Sequence, residues 1–388
     1  MESLNEEQMD ALQEQVAALP LALIQALNNR DVEDEGGLTL SRENIKTLNR
    51  YSNFVVSLPD EADKVERWLG FDSGDDPLLS AQSIADLHLR LQAHGKSWGG
   101  LSDSCKKLSV SLATCANKIN TTGQTVIKYC HETEVALGKH RRWDDLEFLD
   151  PIALTDGDRG IVNSLVEYMQ VLRVDANSFA KRVTRVRAQA EAFRDEARWS
   201  LAPDVSEMKT AALREGDGHS ASEIREELDK VDGLIAELRR EYDEYVKSSL
   251  YGLAGGLIGV TITASIYAPK AEATRKERNR KLERRDQLSE QLVDAQAYEG
   301  HMQRLISNLD ILDSRVQDVT VAAAHLQSAW QSVETYIDAS IEDLESISTG
   351  QQLARFVLFF QRFLGQWSVI ESNAQVMNKM FDDAVSER

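Results

Sequence analysis

The sequence predicts an all-α protein, an elongated helical bundle with a long antiparallel coiled-coil neck and an apolar tip. Three observations carry this prediction. The 388 residues hold only six prolines, at 20, 59, 77, 151, 203 and 269, and the long intervals between them suit helices, which a proline interrupts. Stepping alternately three and four residues, the spacing of a coiled-coil seam, returns apolar side chains over four long segments. No alternating β-branched runs bounded by turn residues compete, apart from GVTITASIY at 259–267.

Residues 1–37 form an N-terminal arm, with one short amphipathic helix and an acidic loop, DVEDEGG. Local order begins at Leu38, where Thr39 or Ser41 followed by Glu43 has the pattern of a helix cap. The first part of a tail bundle is expected over 38–212. Its first seam runs Leu87, Leu91, His94, Trp98, Leu101, Cys105, Leu108, Leu112, Cys115, Ile119, Thr122, Val126, Tyr129, with Gly99 and Gly100 as its weak point. A loop at 144–158, rich in acids with Pro151 and Gly157, then reverses the chain into an antiparallel partner. That second seam, from Val162 through Leu165, Met169, Leu172 and Phe179 to Phe193, carries no polar residue, and Pro203 is expected to end its helix between Trp199 and Pro203.

The third seam, Ile224, Leu228, Val231, Ile235, Leu238, Tyr242, Tyr245, builds an ascending neck helix over 213–247 and leads into an uncharged stretch. Residues 248–269 read SSLYGLAGGLIGVTITASIYAP between Lys247 and Lys270. A returning basic neck helix over 270–304 follows. The fourth seam, from Leu305 through Leu312, Val319, Trp330 and Val333 to Ile347, opens the second part of the tail bundle at 305–388 and continues weakly upstream through Met302, Tyr298 and Ala295. After Gly350 closes that helix, a last one from Gln352 presents Phe356, Phe360, Phe363, Trp367, Ile370, Met377 and Phe381 on one face. Two long helices joined through a tip pair antiparallel.

The tip sets the functional question. Wound as one helix it reaches about 33 Å, close to the hydrocarbon thickness of a bilayer; folded as a hairpin, each arm of about 16 Å enters one leaflet. Its candidate membrane-contacting residues are Leu250, Tyr251, Leu253, Leu257, Ile258, Val260, Ile262, Ile266 and Tyr267. Gly252 with Gly256 and Gly255 with Gly259 give two GxxxG spacings, which let helix backbones approach closely in lipid. In water each glycine costs about 1 kcal/mol of helix stability relative to alanine, so membrane contact is expected to offset it. Just beyond, KAEATRKERNRKLERR at 270–285 carries eight basic and three acidic side chains, and Lys270, Arg275, Lys276, Arg278 and Arg280 are the candidates for lipid headgroup contact. The competing reading is a solvated helix face on which Glu272, Glu277 and Glu283 pair with neighbours.

A net charge of −20 argues against nucleic-acid binding. The polar, acidic N-terminus shows no Sec-type signal, so export without one is expected. Three cysteines, Cys105, Cys115 and Cys130, are no disulfide framework, and the first two fall on a seam as core residues, as does His94. Catalysis, metal and cofactor find no support. GLAGGLIG lacks the Lys-Ser/Thr of a phosphate loop, and Cys130, His131, Glu132 and Glu134 lack metal-ligand spacing.

The stretch RYSNFVVSLPDEADKVERWLGF, with Arg50, Tyr51, Leu58, Pro59, Trp68, Leu69, Gly70 and Phe71, resembles the region before the bundle in the A component of the alpha-xenorhabdolysin binary cytotoxins, a subgroup of the cytolysin A-like α-pore-forming toxins. Chain length and the position of the apolar run agree, and the resemblance extends over 38–388. It implies a water-soluble rod with tail bundle, neck and membrane-end head, and a shorter B component that joins it in a ring of heterodimers on target-cell membranes. In that family the B component is thought to supply most of the spanning helices, so only 250–267 is carried over as a membrane-contacting tip. The other readings are a resident single-span coiled-coil tether or scaffold, with 270–285 on its cytoplasmic side, and a wholly soluble adaptor.

Overall fold

The chain is seen in a computed structural model, which describes residues 20–28, 38–69, 76–132, 152–215, 222–253, 269–295 and 297–386. Among these, every regular element is helical, and pairing of β type is confined to one isolated bridge, Ala153 with Thr349. Helix α1, at residues 20–28, lays Leu23, Ile24 and Leu27 into the main core. Ser41, rather than Thr39, caps α2 (Arg42–Val56), its Oγ accepting from the Asn44 amide at 3.3 Å. A short α3 (Ala62–Leu69) and a 3-10 turn at Pro77–Leu79 lead into α4 (Ala81–Glu132), about 78 Å long at 1.5 Å per residue.

α4 follows the predicted seam, buried at each step from Leu87 to Ile119, and runs through Gly99 and Gly100 without a break. Beyond Ile119 the buried face moves to Gly123, Ile127 and Cys130, leaving Thr122 exposed. A straight helix of 3.6 residues per turn drifts against a 3.5-residue seam, so the stripe advances after several heptads. Gly95 brings α2 against α4: a Cβ there would overlap the Val55 side chain, and Ser52 Oγ donates to the Gly95 carbonyl at 2.8 Å.

α5 (Asp156–Glu196) opens on a capping box between Thr155 and Asp158 and packs antiparallel to α4, with Lys118 paired to Asp175 at 3.0 Å. Pro203 does not end the helical run. A π turn at Ala197–Leu201 passes directly into α6 (Ala202–Glu215), where Pro203 is the second residue. The wider turn carries its bond from Ala202 N to the Ala197 carbonyl, so the amide that proline lacks is missed in the first turn of a new helix. Arg90 of α4 braces this turn through Ser200 and Asp204.

α7 (Ser222–Leu253) and α8 (Pro269–Ala295) form an antiparallel hairpin, with Glu227 bonded to Arg284 at one end and Tyr242 facing Arg278 further along. The returning helix is not continuous with the tail. α8 ends at Ala295, and α9 (Ala297–Ser346) runs antiparallel to it. One side of α9 buries the predicted seam from Leu305 to Leu344 against the tail, where Phe179, Trp330 and Trp367 meet. Gly350 begins the next helix, α10 (Gly350–Ser386), instead of closing α9. Thr349 and Gln352 make a reciprocal cap: Gln352 N donates to Thr349 Oγ1, and Gln352 Oε1 accepts from Thr349 N.

Candidate membrane-interaction site

The hairpin that flanks the apolar run has its own small core. Leu228, Val231 and Ile235 of α7 meet Leu282, Leu288 and Leu292 of α8, separate from the large cluster that joins α1 to α6 with α9 and α10. Leu250, Tyr251, Gly252 and Leu253 fall in the last turn of α7. Gly255, Gly256, Leu257, Ile258, Gly259, Val260, Ile262, Ile266 and Tyr267 lie outside the described residues. Among the described residues, no helix is long and apolar enough to cross a membrane.

The basic segment splits into two groups. Lys270 and Arg280 are exposed and Lys276 is half-buried, with Arg280 and Lys281 paired to Glu277 at 3.1 and 3.4 Å. Arg275 and Arg278, expected at the headgroups, are turned inward and only 1% exposed. Both face Asp318 of α9, at 3.4 and 3.8 Å, and Asp318 also accepts from the Tyr242 hydroxyl at 3.3 Å. The burial has a simple cause: a buried carboxylate opposite them satisfies charges that would otherwise have to reach water. Burial pushes the Arg278 guanidinium below its ordinary range, against the opposing pull of Asp318, and the ring of Tyr242 lies 4.6 Å from it.

Further polar contacts continue along the α8–α9 seam. Arg278 donates to Gln317 at 3.1 Å, Gln317 to Asp243 of α7 at 2.6 Å, and Ser314 to Asn279 at 3.2 Å. Arg285 reaches both Asp232 and Asp310, and Arg239 bonds Asp310 at 3.2 Å. Burial would raise the Asp310 carboxyl, but Arg285 and Arg239 outweigh it and hold the group below the usual carboxylate value.

The residues that carried the sequence resemblance stabilise the α2–α3 corner on α4. The Tyr51 hydroxyl meets His94 Nδ1 at 2.7 Å while His94 Nε2 bonds the Phe193 carbonyl at 2.9 Å. A carbonyl only accepts, so Nε2 carries the proton and Tyr51 donates. The Leu58 and Pro59 carbonyls take bonds from Gln92 and His88, and Trp68 packs on His88 and His301. Gly70 and Phe71 lie outside the described residues.

Cys105 and Cys115 are buried on the seam, with burial pushing each thiol up to about 12, and Cys130 rises to about 11 for the same reason. Such thiols stay protonated and inert at neutral pH. Among the described residues no His, Cys, Asp or Glu group is arranged to hold a metal; Glu134, and the side chains of His131 and Glu132, lie outside them.

No protein-family model matches the sequence, and no curated protein matches it. Solved structures do. Soluble SmhA of the tripartite alpha-pore forming toxin Smh, from Serratia marcescens, aligns over 98% of this chain and 98% of its own at 11% identity, with a TM-score of 0.55. The HblL1 toxin component of Bacillus cereus aligns over 93% of this chain and 96% of its own at 12% identity, with a TM-score of 0.54. YaxA from Yersinia enterocolitica covers 89% of this chain and 98% of its own at 23% identity, with a TM-score of 0.48. The chain thus shares the all-α fold of the SmhA and HblL1 toxin components.

Proposed function

We propose that this chain is one component of a binary α-pore-forming cytotoxin: water-soluble at first, it binds target-cell membranes through the apolar run 248–269. It then co-assembles with a B component into a ring pore. The observation that carries the reading is the position of that run, between the two antiparallel arms of a hairpin whose own apolar residues are already paired with each other. The fold it shares with SmhA, a component of a pore-forming toxin, supports membrane perforation over catalysis. The stretch at 50–71 supports the binary A-component assignment and, with it, a B partner.

Transfer of a side chain such as Leu257 or Ile258 from water to hydrocarbon contributes about 1.5 to 3 kcal/mol, so several together drive docking. Lys270, Lys276 and Arg280 add attraction to anionic headgroups of about 1 kcal/mol each near the surface. The GxxxG faces give close helix packing once lipid surrounds them. Conversion from the soluble form is then a population shift driven by lipid contact.

The test is the double variant Leu257→Asp, Ile258→Asp, mixed with phosphatidylcholine vesicles containing phosphatidylserine. Vesicle association is expected to vanish while helical circular dichroism is unchanged. Binding equal to wild type would remove the tip from the mechanism, and wild-type protein that leaves the membrane fraction only in detergent would favour a resident tether. Dye release that needs a second protein encoded beside this one would support the binary assignment.

A further inference from the structure

Of the 388 residues 64 are Asp or Glu, yet two stretches of neighbouring helices contain none: 104–131 on α4 and 176–190 on α5. The Lys118–Asp175 pair and the bond from Arg182 to the Ser111 hydroxyl set these antiparallel helices in register, which brings Lys107 level with Arg185. Lys107, Lys181, Arg182 and Arg185 are all exposed, and among the described residues none of the four has a carboxylate partner. From Lys107 to Lys118 this band runs about 16 Å at 1.5 Å per residue. Ser111, Thr114, Asn177, Ser178 and Thr184 fill the spaces between the cations. Val110 is the one large apolar side chain exposed between Lys107 and Lys118 or between Asp175 and Arg187, and no aromatic ring is exposed there.

A row of cations on a helix is ordinarily answered by acids three or four residues away. Here the acids stand outside the band, on both sides. Asp338 of α9 pairs with Arg173 of α5 at 3.4 Å, and Glu334 precedes it by one turn. On the other side, Glu371 and Asp382 of α10 reach Asn117 and Lys106 of α4. The cations thus form a band two helices wide between acidic margins. That shape selects among polyanions. A flat anionic bilayer or a DNA duplex broad enough to overlap the margins meets repulsion there, whereas one linear chain can lie along the band. A protein partner would want an apolar centre, and unpaired bases would want exposed rings to stack on; the band has neither. The net charge of −20 does not prevent local binding, because exposed charges farther away than about 8 Å are largely screened at physiological salt.

We propose that the α4–α5 band is a binding site for a linear sulfated polysaccharide. The chain lies along the helices, its sulfates on Lys107, Lys181, Arg182 and Arg185 and its sugar hydroxyls on Ser111, Thr114, Asn177 and Thr184. The site belongs to the tail core, separate from the hairpin that flanks 248–269. What it is for rests on the reading of that run as a membrane tip: polysaccharide on a target-cell surface holds the soluble chain close to lipid.

Heparin is the probe, in solution and without lipid. Immobilised heparin is expected to retain the protein at about 50 mM salt, and four or five contacts to a single-stranded polyanion should weaken roughly a hundredfold by about 200 mM. Lys181→Gln, Arg182→Gln and Arg185→Gln together should lower the affinity by at least about tenfold at unchanged helical content. Thr184→Glu adds a carboxylate to the band and removes no ion pair; it should weaken binding severalfold, and it decides the matter should the triple variant fail to fold. Arg67→Gln with Lys230→Gln, at exposed cations of α3 and α7, should leave heparin affinity unchanged. Wild-type protein that ignores heparin at low salt, or a triple variant that binds as wild type does, would overturn the proposal. So would competition by duplex DNA or desulfated heparin as effective as that of heparin itself. If the triple variant instead loses binding to phosphatidylserine-containing vesicles while wild type ignores heparin, the band is a lipid contact and the proposal falls. Heparin binding through the band by a protein that ignores vesicles would sink the membrane reading and leave this site standing.

Discussion

Asp318 is the residue whose loss says most about how the molecule is held together. It is fully buried, and its carboxylate faces Arg275 at 3.4 Å and Arg278 at 3.8 Å. At an effective dielectric of about 20, unit charges at those distances attract by about 5 and about 4 kcal/mol. Desolvation cancels much of this in the intact protein, but Asp318→Ala leaves the arginines under-compensated, a loss of about 3 to 5 kcal/mol for a broken buried pair. Glu272, at 2.9 Å from Arg275, keeps the loss toward the lower figure. The penalty is relieved when the hairpin leaves α9, so it falls on docking and spares the apolar tail core. Native-state hydrogen exchange is the assay. Amides of 222–253 and 269–295 should exchange more than a hundredfold faster, as about 3 kcal/mol requires, while those of α4 and α10 stay near wild type. Equal acceleration in α4 and α10, or none in 269–295, would refute the separation of docking from folding.

Tyr51→Phe removes the donor to His94 Nδ1 in a buried site and should lower the unfolding free energy by about 1 to 3 kcal/mol, read as a lower urea midpoint. His88, His94 and His301 all have pKa values lowered first of all by burial. The unfolded chain, with ordinary histidines near 6.5, therefore takes up protons first as pH falls. Stability is full above that value and is lost as pH drops from it toward the folded values, so the urea midpoint should fall between about pH 7.5 and 5.5; a flat profile would contradict this. Native protein should leave Cys105 and Cys115 unreacted with a thiol reagent at neutral pH, with all three cysteines titrating after denaturation.

Apolar spacing located the tail helices well, because their burial is apolar. The seams ending at Phe193 and Phe381 are buried at nearly every step. Two boundaries escaped for local reasons: the π turn at Ala197–Leu201 absorbs Pro203, and a Thr349–Gln352 cap makes Gly350 a beginning. The corner at 295–297 escaped for a deeper one. On α8 the buried positions Ala271, Arg275, Arg278, Leu282, Arg285, Ser289 and Leu292 follow the seam spacing throughout, yet four of the seven are polar. Facing them on α9, Gln303, Ser307, Asp310, Ser314 and Gln317 keep the same spacing, and are likewise polar. A search for apolar periodicity passes over both stripes, whereas a search for matched basic and acidic stripes at that spacing finds them.

The middle of α9 has a consequence for how this chain can vary. From Leu312 to Leu326 fifteen consecutive residues are buried, with tail helices on one flank and the hairpin on the other. Elsewhere a helix offers an outward position every third or fourth residue where almost any side chain is accepted; here no such phase exists. Drift in this stretch must therefore proceed by paired exchanges across two surfaces at once, one greasy and one ionic. A lineage that abandoned the folded-back arm would be recognised by relaxation of the ionic surface alone, with Asp318 and Gln317 drifting while Val316 and Val319 stayed put.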